Sequence, residues 1–289
     1  MSAPIGAGPV APPLLAVRDA VARALAEDLL PLGDLTAALV PEGATAGAAV
    51  VARQAGVVAG AACVIETFAQ LDPSVRVDWQ AADGTAVVPG QALATIEGPL
   101  APILSGERTA LNFLCHLSGI ATLTRRFVEA AGGRAIIWDT RKTLPGLRAL
   151  EKAAVRAGGG CNHRGNLSEF VLVKDNHLAG LTITDAVRRA RQRWPARTVE
   201  VECDRREQVE EAVAAGSTLV LLDNMAPDDV AECVTLVAGR ASVEVSGGIT
   251  LETVAAYAAA GADLISTSAI TQSAPALDIG LDIASGGGG

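Results

Sequence analysis

No apolar run in this 289-residue chain reaches the roughly 18 residues that a membrane-spanning helix needs; Gly, Pro or a charged side chain interrupts each one. The stretch from Met1 to Pro13 lacks the basic start and apolar core of a secretory signal. The chain therefore reads as a cytoplasmic protein with no membrane partner. Its five cysteines, Cys63, Cys115, Cys161, Cys203 and Cys233, are odd in number and never form a C-x-x-C pair, so neither a disulfide framework nor a zinc site is indicated. They are expected to be small buried apolar residues. Positive charge is also scarce: the net charge of −9 argues against a nucleic-acid partner held by a general basic surface. Only three lysines occur, and none before Lys142.

Half of the residues are apolar, enough for a large core in one big domain or two unequal ones. The few basic residues are unevenly placed. From Arg108 to Lys174 there are eleven Lys or Arg against four Asp or Glu, and all the lysines and histidines (Lys142, Lys152, Lys174, His116, His163, His177) fall between His116 and His177. A coding preference for Arg over Lys is the plain account. A pocket for a strongly anionic ligand is the functional one.

The Gly, Pro and Ser-rich ends, 1–13 and 285–289, are expected to be mobile. Leu14, Val17, Val21, Leu25 and Leu29 follow helical spacing. Between Thr45 and Glu97, short runs at Ala48–Ala52, Val57–Ala59, Val75–Trp79 and Ala92–Ile96 read as strands, interrupted by a helix at Ala61–Leu71. This predicts a small α+β layer, assigned to 14–115, with 274–284 a candidate to pack back on it. The stretch Asp83 to Glu97 looks like half of a lipoyl-type hairpin. A carrier needs a lysine at the turn and none is present, so the likeness is read as architectural only.

A long helical region from Pro102 to Ala131, expected to bend or break near Gly119, leads into alternating strands and helices assigned to 116–273. The strands are Arg134–Asp139, Phe170–Lys174, Thr198–Glu202, Leu219–Asp223, Ala241–Ser246 and Asp263–Thr267. The helices between them begin near Leu147, Thr182, Arg205, Ala226 and Thr250. Repeated βα units imply parallel strands with right-handed crossovers, read here as a barrel in preference to an open sheet.

In an α/β barrel the chemistry lies where the strands end. Those ends carry Asp139-Thr140-Arg141-Lys142, Lys174-Asp175-Asn176-His177, Glu202, Asp223-Asn224, Ser246-Gly247-Gly248 and Ser266-Thr267-Ser268, and the loop Gly158 to Arg164 adds His163 and Arg164. One charged residue closing a strand commonly marks the approach to solvent; six strands in a row ending this way point to a site. Two unit charges about 4 Å apart gain roughly 1 kcal/mol in water and about 4 kcal/mol at an effective dielectric of about 20, so several converging cations are needed to strip water from a polyanion. Arginine adds the fork that suits carboxylate and phosphate. Glu202 and Asp223 suit sugar hydroxyls, Mg²⁺ or developing positive charge, and Ser246-Gly247-Gly248 before a helix start offers backbone N–H groups and a helix dipole to a phosphate.

Glu107-Arg108-Thr109-Ala110-Leu111-Asn112, His116 to Thr122, Asp139-Thr140-Arg141-Lys142-Thr143-Leu144-Pro145-Gly146, Gly158-Gly159-Gly160, Asn162-His163-Arg164 and Lys174-Asp175-Asn176-His177 resemble the quinolinate phosphoribosyltransferases, also called carboxylating nicotinate-nucleotide pyrophosphorylases. The likeness runs from about Glu27 to Asp282. It implies an N-terminal α/β sandwich domain, an incomplete α/β (TIM-like) barrel, and a homodimer with shared active sites, with assembly into hexamers left open. It also implies transfer of phosphoribosyl from 5-phosphoribosyl 1-diphosphate to quinolinate with loss of carbon dioxide.

By the same resemblance, Arg108 of the neighbouring subunit would join Arg141, His163, Arg164 and Lys174 around the two quinolinate carboxylates. Lys142 would face the pyrophosphate, Glu202 and Asp223 would hold the ribose hydroxyls and Mg²⁺, and Ser246, Gly247 and Gly248 the 5′-phosphate. Mg²⁺ is the one cofactor implied. The chain departs from the family where Ser268 stands in place of a common Gly, which limits how closely backbone approaches a phosphate there. Rival readings are a related phosphoribosyltransferase for another aromatic acid, a barrel aldolase with a Schiff base on Lys174 or Lys142, and a non-catalytic phosphate-binding or carrier module.

Overall fold

The computed structural model describes residues 11–284; residues 1–10 of the expected mobile N-terminus, and the whole of 285–289, lie outside the described residues. The chain divides into two compact units, one made of residues 1–125, 143–159 and 273–289, the other of 126–142 and 160–272.

The first unit begins with α1 (Leu14–Leu29), which buries Val17, Ala20, Val21 and Leu25 on one face. Its strands are β1 (Thr45–Ala52), β2 (Gly56–Val57), β3 (Arg76–Trp79), β4 (Ala86–Val87), β5 (Ala92–Pro99) and β12 (Ile279–Ala284). Four of them form an antiparallel sheet in the order β12-β1-β5-β3, so the 274–284 segment supplies an edge strand. Alternation decides which face is buried: in β5, Leu93, Ala94 and Ile96 are in the core and Thr95 and Glu97 are exposed. Helix α2 (Ala61–Leu71) starts after Gly60, whose φ of 110° suits glycine. The Asp83 carboxylate accepts from the N–H groups of Gly60 and Ala61 at 3.0 and 3.2 Å, supplying the cap that Gly60 cannot. Phe68 of α2 packs with Leu93, Ile96, Ile103 and Leu114 in one core.

Two expectations fail in this unit. The Asp83 to Glu97 stretch is not a hairpin: β4 pairs with β2, whereas β5 pairs with β1 and β3. The Gly90 N–H bonds to the Ala52 carbonyl at 2.8 Å, which turns the chain away from β4 and onto β1. The long helix α3 (Leu100–Ala131) does not break at Gly119. A Cβ at Gly119 would stand 2.1 Å from the Pro275 carbonyl oxygen, so this glycine serves close packing. Helix α4 (Arg148–Ala157) completes the unit.

The second unit holds six parallel strands, β6 (Ile136–Trp138), β7 (Val171–Val173), β8 (Val199–Cys203), β9 (Leu219–Asp223), β10 (Ser242–Ser246) and β11 (Leu264–Ser266). Their order is β6-β11-β10-β9-β8-β7. β6 and β7 follow each other in sequence but stand at opposite ends of that order, so the ladder does not close and the barrel is incomplete. Helices α5 (Asp175–Leu178), α6 (Ile183–Arg193), α7 (Arg206–Ala214), α8 (Pro227–Val237), α9 (Val254–Ala259) and α10 (Ala269–Gln272) fill the connections. Thr182 caps α6 by accepting the Asp185 N–H at 3.0 Å, and Pro227 opens α8 where its missing N–H costs nothing.

The expected helix start near Thr250 is corrected. Thr253 Oγ1 accepts the Thr250 N–H at 3.0 Å, a local turn forms first, and α9 begins only at Val254. Of the cysteines, Cys63, Cys203 and Cys233 are buried, Cys115 and Cys161 are partly exposed, and all five are free. No helix of the described residues is long and apolar enough to cross a membrane.

Candidate active site

The strand ends of the second unit form a polar rim, and register explains who stands beside whom. Val173 of β7 pairs with Val201 of β8, so the next residues, Lys174 and Glu202, emerge side by side. The Lys174 ammonium donates to Glu202 Oε2. Glu202 pairs with Leu221, two residues before Asp223 on the same face of β9, and Asp223 in turn pairs with Ser246 of β10. Glu202, Asp223 and Ser246 thus form a polar row across three neighbouring strands. Asn224 Nδ2 donates to Asp223 Oδ2 at 2.8 Å.

The turn after β10 is built close to β9. The Asn224 N–H donates to the Ser246 carbonyl at 3.0 Å, and a Cβ on Gly247 would meet Asn224 Oδ1 at 2.2 Å. Gly247 and Gly248 have φ of 94° and 61°, which only glycine adopts without strain. α9 begins at Val254, after a turn in which the Val254 N–H donates to the Thr250 carbonyl at 3.0 Å. Ser268 precedes α10, and its carbonyl accepts from the N–H groups of Thr271 and Gln272 at 3.1 and 2.8 Å.

Beyond β6, Asp139 is fully buried and acts as a clamp. Its carboxylate accepts from Asn162 Nδ2 at 2.7 Å and from the His163 backbone N–H at 2.9 Å, and Trp138 forms a parallel bridge with Cys161. This fixes His163 and Arg164 relative to β6. Arg164 donates to the Phe170 carbonyl at 3.1 Å and lies over the Phe170 ring, 5.6 Å from its centroid. Burial first, and then the charge of Arg141, pull its pKa below the ordinary arginine value. Two guanidinium groups held near each other in a partly dry place are stabilised by an anion. Lys142 is exposed; its N–H donates to Thr140 Oγ1 at 3.0 Å, and its carbonyl accepts from Thr271 Oγ1 at 2.7 Å.

Glu200 and Glu244 were not singled out by sequence, and both are fully buried. His163 Nε2 lies 3.2 Å from Glu200 Oε2 and 3.7 Å from Glu244 Oε2, and the three ligand atoms all fall within 4.8 Å of one another. Burial pushes Glu200 up to about 7 against the pull of Arg164 and Lys174. It pushes Glu244 up to about 8, reinforced by Glu200. The strands read Val-Glu-Val-Glu (199–202) and Val-Glu-Val-Ser (243–246), so period 2 places Glu200 on the face of Glu202, and Glu244 on that of Ser246.

Arg108 belongs to the first unit, on α3, with a side chain 75% exposed and an ion pair to Glu107 at 3.4 Å. Arg141, Lys142, His163, Arg164, Lys174, Glu202, Asp223, Ser246, Gly247, Gly248 and Ser268 all lie in the second unit.

The description "Quinolinate phosphoribosyl transferase, N-terminal domain" matches residues 34–118, and "Quinolinate phosphoribosyl transferase, C-terminal domain" matches residues 120–282. A nicotinate-nucleotide pyrophosphorylase [carboxylating] of Mycobacterium leprae is 43% identical over 277 residues, covering 93% of this chain and 97% of that one. A probable enzyme of the same name from Bacillus subtilis is 43% identical over 254 residues, covering 87% and 88%. The solved nicotinate-nucleotide pyrophosphorylase of Francisella tularensis superposes with a TM-score of 0.90 at 35% identity, covering 94% of this chain and 97% of that one. The chain belongs to the quinolinate phosphoribosyltransferase family.

Proposed function

We infer that this chain is a decarboxylating quinolinate phosphoribosyltransferase of NAD biosynthesis: it joins quinolinate to 5-phosphoribosyl 1-diphosphate and releases nicotinate mononucleotide, carbon dioxide and pyrophosphate. The observation that carries the reading is the cationic cluster facing a carboxylate row. Arg164, with its charge disfavoured by burial and by Arg141, sits near Lys174 on one side of the rim, and Glu202 and Asp223 line the other. A dianionic acceptor and a donor that ionises to a cationic sugar carbon need both halves.

In this reading Arg141, His163, Arg164 and Lys174 hold the quinolinate carboxylates, and Lys142 attends the departing pyrophosphate. The C1′–O bond breaks with its electron pair leaving on pyrophosphate, and Glu202 or Asp223 stabilises the positive charge that builds on C1′. The pyridine nitrogen then bonds to C1′. Once quaternised, the ring accepts the electron pair of the adjacent C–CO₂⁻ bond; carbon dioxide leaves and the ring carbon takes a proton from solvent. The protein's part in that second step is to hold the carboxylate in place and exclude water. No organic cofactor is required.

Glu202 and Asp223 also fit a Mg²⁺ ion. They stand on neighbouring strands, and within the described residues their protein hydrogen bonds use Oε2 and Oδ2, leaving Oε1 and Oδ1 for a hard cation that keeps most of its waters. When bound, Mg²⁺ would neutralise pyrophosphate charge. A homodimer in which Arg108 reaches a neighbouring copy's site is supported by that residue's exposure on α3. Five free cysteines fit a reducing, cytoplasmic setting.

The test is to mix purified protein with Mg²⁺, 5-phosphoribosyl 1-diphosphate and quinolinate labelled in the 2-carboxylate, and to follow labelled carbon dioxide and nicotinate mononucleotide together, with nicotinate as the control acceptor. Equal yields of both products, lost in folded Arg141→Ala and Lys142→Ala variants, are expected. Product from nicotinate but none from quinolinate would overturn the assignment.

A further inference from the structure

Two glutamates inside a barrel are an expensive way to fill space. Desolvating a carboxylate costs several kcal/mol unless partners compensate, and apolar side chains of similar volume pack the same place at lower cost. The neighbouring positions on the same face of β9 show the cheaper solution, since Leu219, paired with Glu200, and Leu221, paired with Glu244, are buried. Yet Glu200 Oε1 and both Glu244 oxygens are buried without a well-formed hydrogen bond, although Ser266 and Glu200 neighbour Glu244. The two carboxyl groups adjoin each other, and both approach His163 Nε2, Glu200 Oε2 at 3.2 Å and Glu244 Oε2 at 3.7 Å.

His163 is held on every other side as well. Its backbone N–H is fixed by Asp139, and its ring meets Trp138 and Phe170 edge-on, at centroid distances of 5.2 and 5.0 Å. Phe170 is the residue that also carries Arg164, through its carbonyl and its ring. One side of this assembly is buried carboxylate and the other is the adjoining pair His163 and Arg164.

We propose that Glu200 and Glu244 are positioning residues for the acceptor: acting through His163, they fix the imidazole and the adjoining Arg164 in the geometry that admits quinolinate, without touching substrate themselves. The proposal rests on the function inferred above. It assigns these side chains to the acceptor half of the site alone. Within the donor half, Asp223 and the turn at Gly247 are anchored separately, through Asn224, whereas Glu202 is bonded to Lys174.

The experiment is steady-state kinetics on Glu244→Leu, Glu244→Gln and Glu200→Gln, each alone and with His163→Ala, varying quinolinate and 5-phosphoribosyl 1-diphosphate in turn. Losing a buried polar contact that holds a binding group in place weakens binding by about ten-fold, so Glu244→Leu is expected to raise the KM for quinolinate by about that factor, with the donor KM within about two-fold of wild type. Glu244→Gln, which keeps shape and polarity, should restore most of the loss. Combined with His163→Ala, neither glutamate substitution should add a further effect. If Glu244→Leu does not fold, Glu200→Leu, alone and with His163→Ala, carries the same cycle, with Glu200→Gln as its conservative control. Equal changes in both KM values, or an undiminished effect in the His163→Ala background, would overturn the proposal while leaving the function intact. A wild-type sample that makes no nicotinate mononucleotide overturns the function and the proposal together.

Discussion

Lys174 and Glu202 leave adjacent parallel strands at the same level, and the ammonium of one is bonded to the carboxylate of the other. In the proposed reading, the cation that would meet quinolinate already donates to an internal carboxylate, and the two anions would compete for its charge. Glu202→Gln should weaken this competition. The expected signature is a fall in the quinolinate KM by a few-fold together with a fall in kcat of about 10²-fold, because the same change removes charge from the forming sugar cation. Initial-rate measurements separate the two; a raised KM would contradict the competition.

Arg164 makes a carbonyl contact, a ring contact and a close approach to Arg141. Lysine keeps the charge but has neither the fork nor the flat face. Arg164→Lys should raise the quinolinate KM about ten-fold or more while leaving the thermal midpoint within a few degrees of wild type, loss of a bidentate carboxylate contact being the larger effect. Calorimetric titration with quinolinate checks it.

Glu200 and Glu244 hold their protons more tightly in the fold than the ordinary value of 4.5. Below about pH 4.5 both folded and unfolded chains are protonated at these groups, and this contribution to stability is fully present. As pH rises, the unfolded chain ionises first and the contribution is lost, up to about pH 8. Glu244→Gln cannot ionise, so it should gain stability relative to wild type as pH goes from 5 to 8. Chemical denaturation across that range is the measurement, and a constant difference would show that the pair does not titrate there.

At Gly119, a methyl group would run into the Pro275 carbonyl oxygen, with backbone on both sides of the clash. Gly119→Ala gains helix propensity worth about 1 kcal/mol and still should destabilise, overpacking of this kind costing about 1–3 kcal/mol or more. Urea unfolding gives the sign.

The order of elements was legible in the sequence because each strand of the barrel is a short stretch built on Val, Ile or Leu between turn residues. The starts at Thr182 and Pro227 announce themselves through local capping chemistry. The rim was legible for a related reason: residues just past an apolar run must be at a strand end. What escaped was set by partners distant in sequence. Gly119 reads as a helix breaker until Pro275 is beside it, and Asp83 reads as a turn residue until it caps α2. Glu200 and Glu244 lie inside their strands and not at the ends, although the Val-Glu-Val-Glu and Val-Glu-Val-Ser alternation already places an acidic side chain one step deeper on the same face.

β1 is flanked on one side by β5, which follows within the same stretch of chain, and on the other only by β12. The ion pair Arg53 to Asp282 across that seam joins residues 229 positions apart. In the barrel, β6 has β11 as its one strand neighbour. During synthesis on the ribosome, each of these early strands emerges long before its companion exists. β1 therefore lacks β12, and β6 lacks β11, until those strands have been made, so the nascent chain carries exposed strand edges of the kind that chaperones shield.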